Sequence, residues 1–339
     1  MACLIRTMWE LVITENGRSA CAFGVSVVLW IVLENSSSLS VNDTVSCEDL
    51  KGVGSLNTTC TLNSSLQLDD DLCISGTGNL EILPHVSIVC PIKGCSITVN
   101  VSGNVSVGPS AAIVAGSIAF EANSITLSHD TIINTTSLGG APPAQTSGTP
   151  SSYDGAGGGH GGRGASCMKS NKTLWGGDVY SWSTLSDPWS FGSKGGTASS
   201  DKQYGGDGGG RIMLKVNDTL YVDGSVTAEG GEGGLQGGGG SGGSIKVHAL
   251  KLKGKGTISA AGGRGWGGGG GGRISLNCYS IQDVTVTAHD LFSSTTLKWL
   301  MFGDEWNMAQ SQHRYFVVYL PWNAKSAGIG RSGIEISHG

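Results

Sequence analysis

Residues Tyr153–Gly164 read YDGAGGGHGGRG and set the imidazole of His160 between the carboxylate of Asp154 and the guanidinium of Arg163. An imidazole near a carboxylate is the common pairing for proton transfer around neutral pH. Here each of the three groups stands in a glycine run, and no nucleophile follows at a defined spacing. Spacing alone does not make a catalytic site, so no catalytic residue is assigned. Asp69, Asp70 and Asp71 are consecutive. Carboxylate oxygens suit a hard cation such as calcium. Three adjacent acids point in different directions, and the better reading is a solvated turn. The Gly-x-Gly patterns are followed by no Lys-Ser/Thr and lie in no strand–loop–helix unit, so they are not phosphate cradles. Arg163, Arg211, Arg264 and Arg273 are isolated and form no RNA-binding tract. The sequence therefore assigns no metal and no cofactor.

Cysteine and asparagine carry more information. Of nine cysteines, seven follow residue 33. Cys47, Cys60, Cys73, Cys90 and Cys95 crowd together, with Cys167 and Cys278 far downstream. Zinc needs two paired Cys or His spacings, and only Cys90 and Cys95 approach one. The crowded five are read as disulfide partners, with the connectivity open and the count odd. Asn-x-Ser/Thr occurs at Asn35, Asn42, Asn57, Asn63, Asn100, Asn104, Asn134, Asn171 and Asn217. Chance would give about three such sequons. All nine follow Ala20–Leu33, an uncharged apolar stretch. Its length suits a signal-peptide core and falls short of the roughly 20 residues needed to span a bilayer. The region before it is long for a leader and carries Glu10 and Glu15. The expectation is a secreted or cell-surface glycoprotein. The alternative is an uncleaved anchor that touches membrane only through residues 20–33.

The composition narrows the elements that could position such groups. The chain has 339 residues, 14% charged, with a net charge of −5. That gives no basic face for nucleic acid. Glycine accounts for 57 residues, yet no Gly-X-Y period supports collagen. From Leu62 to Thr136, short Val/Ile/Thr-rich runs alternate with period two. Ser96–Val101, Asn104–Val107, Ser117–Phe120 and Ser124–Leu127 are examples. These are strand signatures, and a repeat of about 22 residues has the size of one β-solenoid coil.

A clearer repeat follows, in which Ile212, Leu214 and Val216 answer Ile245, Val247 and Ala249. Leu220, Val226 and Ala228 answer Leu252, Ile258 and Ala260, and a third copy brings Ile274, Leu276 and Cys278. Stacked copies would bury one another's apolar stripes, whereas one copy could not bury its own. The predicted fold is all-β, a parallel β-helix or solenoid-like stack of short strands. Ordered, extended polyglycine segments at Gly205–Gly210, Gly230–Gly243 and Gly262–Gly272 would fill its bends. The outward positions are Arg211, Met213, Lys215, Lys246, His248 and Ser275. An insert bearing Trp175, Trp182 and Trp189 is expected to cap the stack or to offer a sugar-stacking surface.

Several long stretches resemble the amino-terminal part of a family of large plant glycine-rich, membrane-anchored proteins of undefined function. They are Cys47–Leu56 with Cys60, Cys90–Ile97, Gln145–Pro150, Asp154–Gly164, Trp175–Leu185 and Gly237–Ser244. The resemblance spans residues 45–290. It implies a β-rich ectodomain ahead of a cysteine-rich segment and a multi-pass membrane region, and it supplies no catalytic residues. The pattern breaks at His289-Asp290. The expected organisation is a signal peptide or anchor (1–40), a Cys-containing β region (41–140), a Gly/Ser/Trp-rich insert (141–204), glycine-rich β repeats (205–290) and a divergent, poorly ordered tail (291–339). The expected function is that of a non-enzymatic glycosylated scaffold or interaction protein, truncated from a larger one. Its partner would be wall polysaccharide or another extracellular protein. The alternatives are a polysaccharide-active β-helix and a flexible structural wall protein.

Overall fold

The computed structural model describes residues 45–142, 148–150, 155–169, 172–180, 187–197, 205–234, 237–287 and 315–317. The leader, sequons Asn35, Asn42 and Asn171, Asp154, Trp182 and nearly all of the tail lie outside these residues. Every regular element among those described is a β-strand. The chain opens with β1 (Gly52–Gly54), β2 (Thr59–Leu62) and β3 (Leu66–Gln67). Three units of three strands follow. The first is β4 (Leu72–Gly76), β5 (Asn79–Ile82) and β6 (Ser87–Val89). The second is β7 (Ser96–Val101), β8 (Asn104–Val107) and β9 (Ala112–Val114). The third is β10 (Ser117–Ala122), β11 (Ser124–Leu127) and β12 (Ile132–Asn134).

The insert contributes an antiparallel pair, β13 (Cys167–Lys169) and β14 (Lys172–Leu174). The units then resume with β15 (Arg211–Val216), β16 (Thr219–Val222) and β17 (Ser225–Thr227). In the last two units one long strand does the work of two. These units are β18 (Ser244–Lys253) with β19 (Thr257–Ser259), and β20 (Arg273–Gln282) with β21 (Thr285–Thr287). Finally β22 (Tyr315–Val317) lies antiparallel on β20.

Pairing between units is parallel and forms three ladders. The first joins β4, β7, β10, β15 and the leading halves of β18 and β20. The second joins β2, β5, β8, β11, β16 and the trailing halves of β18 and β20. The third runs β3–β6–β9–β12–β17–β19–β21. In register, Ile97, Ile118, Ile212, Ile245 and Ile274 occupy one row, as the repeat requires. Val99, Phe120, Leu214, Val247 and Leu276 occupy the next row, and Ile88, Ile113, Ile133, Val226, Ile258 and Val286 line the third ladder.

Ile97, Ile118, Ile212 and Ile245 are fully buried, each contributing about 1.5–3 kcal/mol of transfer free energy. Ile274, in the last unit, is only partly buried. The offset between the glycine-rich units is 33 residues in the first ladder and 32 in the second. The missing residue belongs to the corner. Three residues separate inward Val216 from Leu220, but two separate Ala249 from Leu252.

The insert's position was not evident from the sequence. Arg211 pairs in register with Ser117, 94 residues earlier, so β10 and β15 are adjacent, and the insert between β12 and β15 contributes no strand to the three ladders among the described residues. It returns over the outward side of the first ladder. Trp189 and Phe191 each stack 4.5 Å from the Arg211 guanidinium, and Ser244 Oγ donates to the Ser190 carbonyl at 2.7 Å. Lys246 forms an ion pair with Asp187. The outward positions are therefore not a bare face. Ser275 is 2% exposed, Arg211, Met213 and Lys246 are half-buried, and only Lys215 and His248 are exposed.

Candidate functional site

The polar groups of interest lie in a layer of glycine segments that extends from the ends of the strands. Its bonding has a three-residue period. In Gly238–Gly243 the first and fourth N–H groups donate to Gly196 and Ser193, the second and fifth to Gly267 and Gly270, and the third and sixth to Gly231 and Ala228. One segment thus bonds three different neighbours in rotation, the symmetry of an extended three-fold chain rather than a pleated strand. Its carbonyls accept from three further segments: Gly206 N donates to Gly238, Gly158 N to Gly239 and Gly263 N to Gly240. Glycine is required because the backbones touch. A Cβ on Gly239 would meet the Gly263 carbonyl oxygen at 1.9 Å, and one on Gly240 would meet that of Asp207 at 2.0 Å. Ser241 is the residue in this run that keeps a side chain, and its Oγ accepts the Ser193 N–H at 2.7 Å.

His160 is sealed inside this layer. Its Nδ1 lies 2.8 Å from the Gly242 carbonyl oxygen, and its ring stacks on Tyr180 with centroids 4.8 Å apart. The Tyr180 hydroxyl donates to the Phe191 carbonyl, and the Arg273 guanidinium donates to the Tyr180 carbonyl. His160, Tyr180, Ser193, Ser241 and Arg273 therefore tie together the insert, the Gly237–Gly243 segment and the start of β20. All five are buried. Burial, with the charge of Arg273, pushes the His160 pKa down to about 3, and burial pushes Tyr180 up to about 12. An imidazole held neutral and closed off from solvent cannot exchange protons with a substrate.

Among the described residues, the candidates suggested by residue type and spacing take different roles. Arg163 is exposed and forms an ion pair with Asp178, well separated in role from His160. Two of the three acids cap backbone N–H groups, one of them in the next unit. Asp71 Oδ1 accepts the Ser96 N–H at 2.8 Å, and Asp70 Oδ1 accepts the Asp71 N–H at 2.7 Å. Among the described residues no cluster of three or more His, Cys, Asp or Glu could hold a metal ion. Tyr180, Ser193, Ser241 and Arg273 were missed as a group. The legible signal was Ser241, a side chain interrupting glycines that have no room for one.

Disulfides join Cys47 to Cys60 and Cys90 to Cys95. Such bonds fit an oxidising, extracellular environment. Cys73 is a correction, since it belongs to neither disulfide. Leu72 and Ile74 point into the core on either side of it, so its thiol projects from the opposite face, beside Thr98 in register. Cys278 is 1% exposed, and burial pushes its thiol up to about 12, as suits a packing residue. Asn57, Asn63, Asn100, Asn104 and Asn217 are exposed. Asn134 is half-buried, its Oδ1 accepting from Thr136 N at 2.8 Å and Thr227 Oγ1 at 3.0 Å. Trp175 is 71% exposed, whereas Trp189 packs on Arg211. Among the described residues no helix is long and apolar enough to cross a membrane.

Comparison with protein-family models, curated proteins and solved structures finds no match to this chain.

Proposed function

We propose that the chain is a glycosylated, extracytoplasmic β-helix whose glycine segments form a polyglycine layer, and that it acts as a scaffold or interaction protein rather than an enzyme. The supporting observation is that the buried polar cluster around His160 is spent on joining the layer to the strands. Two disulfides and five exposed sequon asparagines support the compartment. The resemblance to large plant glycine-rich proteins is in keeping with an ectodomain of this kind, entering the secretory pathway through residues 1–40. Wall polysaccharide and other extracellular proteins are the proposed partners. The exposed Trp175 indole offers a stacking surface for sugar rings. The regular three-neighbour bonding supports an ordered layer over a flexible wall protein.

Two measurements test this. Intact mass of the secreted chain, before and after glycosidase, should fall by several N-glycans. An unchanged mass removes the glycoprotein reading. Incubation with polyuronates and neutral wall polysaccharides should release no reducing or unsaturated ends while leaving the protein retained on at least one insoluble glycan. Release of new ends would establish the polysaccharide-active alternative.

A further inference from the structure

Two exposed indoles and an exposed ion pair start from adjoining segments at the rim of the glycine layer. The antiparallel register of β13 with β14 runs on without a slip into the glycine segments: Cys167 faces Leu174, Gly164 N donates to Gly177, and Arg163 forms an ion pair with Asp178. Trp175 therefore stands opposite Ser166. Gly177 N and Tyr180 N, three residues apart, both donate to a single neighbouring segment, at Gly157 and His160, and both residues are buried. By the same period Trp175 and Asp178 share another side, about 9 Å apart in an extended three-fold chain. That side is open. Trp175 is 71% exposed, and the Arg163 and Asp178 side chains are half-exposed. The second indole comes from the Gly262–Gly272 run. A Cβ on Gly176 would meet the Ala165 carbonyl oxygen at 2.9 Å, and one on Gly267 would meet the same oxygen at 2.6 Å. The two glycines thus flank one carbonyl, and the residues just before them are Trp175 and Trp266, the latter 42% exposed.

We propose that Trp175, Trp266 and the Arg163–Asp178 pair form a binding platform for a neutral, hydroxyl-rich polysaccharide chain. The proposal rests on the reading of the chain as an extracytoplasmic interaction protein and names its ligand class and site. An indole presents a flat apolar face for a sugar ring and a polar edge that tolerates water. The ion pair supplies both halves of hydroxyl recognition, since the guanidinium only donates and the carboxylate only accepts. Charge selects a neutral glycan over an acidic one. Asp178 already neutralises Arg163, and a polyuronate would approach a chain whose net charge is −5. Area selects a glycan over a protein. Two indoles offer roughly 300–500 Å², short of the about 800 Å² that a stable protein interface buries on each side. Aromatic and Arg side chains are also the types that carry most binding energy when covered.

The test is affinity electrophoresis of the full secreted chain in native gels containing hydroxyethyl cellulose, glucomannan or polygalacturonate. At least one of the two neutral polymers should retard the wild type, and polygalacturonate should not. Trp175→Ala should weaken the retardation about tenfold, and Trp266→Ala and Asp178→Asn should each weaken it about threefold. Tyr279→Ala, which removes an aromatic side chain 62% exposed on β20, should leave it unchanged. Urea midpoints equal to that of the wild type show that each variant is folded. Wild-type retardation by a neutral polymer that survives both tryptophan substitutions overturns the platform but leaves glycan binding standing. Retardation by polygalacturonate alone overturns the neutral ligand class. No retardation of the wild type by any of the three overturns the platform and the polysaccharide partner together.

Discussion

Replacing Gly239 with alanine separates an ordered glycine layer from a loose glycine linker by the sign of the effect. In a linker the added methyl group narrows the unfolded ensemble and stabilises the chain by about 0.4–1 kcal/mol. In the layer the new Cβ would sit 1.9 Å from the Gly263 oxygen, 2.5 Å from its carbonyl carbon and 2.9 Å from Gly269 N. All three are backbone atoms, so no rotamer change relieves the clash, and the segments must part by more than 1 Å to reach ordinary contact. That separation stretches the bonds from Gly239 N to Gly267, Gly158 N to Gly239, Gly263 N to Gly240 and Gly269 N to Gly263. At about 1 kcal/mol for each weakened bond the loss approaches 4 kcal/mol, reduced by the entropic gain to about 3 kcal/mol.

Gly231→Ala is the graded comparison. Its Cβ first meets Ser137 Oγ, at 2.5 Å, and the nearest backbone atom lies at 3.0 Å. The serine can rotate, and the expected loss is about 1 kcal/mol. Urea unfolding followed by circular dichroism and tryptophan fluorescence would measure both. A Gly239→Ala midpoint at or above wild type, or one equal to that of Gly231→Ala, refutes the packed layer.

The strands, the disulfides and His160 each give a further expected outcome. Ile245→Ala opens a cavity in the middle of the first ladder and should cost about 2–5 kcal/mol, whereas Ile132→Ala, at a position 42% exposed, should change the urea midpoint little. Cys47→Ala with Cys60→Ala frees a 13-residue separation at the amino-terminal edge and should lower stability by about 3 kcal/mol, with unfolding beginning at β1 and β2 by hydrogen exchange. His160 binds a proton in the unfolded chain below its ordinary value of 6.5 but in the folded chain only near 3. Stability is therefore lost as pH falls from 6.5 towards 3, by about 2 kcal/mol at pH 5, and His160→Gln should flatten that slope in pH-dependent denaturation.

The strand ladders were legible in the sequence because their information is local and repeated. Alternating apolar residues set which side of each strand faces inward, and similar residues at matching positions set which strands are neighbours. Ile212, Ile245 and Ile274 could thus be aligned without coordinates, as could the one-residue shortening between Val216–Leu220 and Ala249–Leu252. Cys278 could be assigned to the core for the same reason. The five clustered cysteines showed that disulfides form but not which ones, and the direction in which β4 turns Cys73 keeps it out of the two that do.

The sequence by itself determined the all-β character, the inward rows and the register of the repeated units, because side-chain period and burial depend on a few neighbouring residues. Only the tertiary structure decided where the insert lies, which glycines touch, and that His160 is enclosed with Tyr180 and Arg273 rather than paired with Arg163. Glycine segments recognise one another through backbone N–H and C=O groups that every residue except proline possesses. No residue type or spacing marks their partners, and those partners are fixed only when β10 and β15 come together across 94 residues of chain.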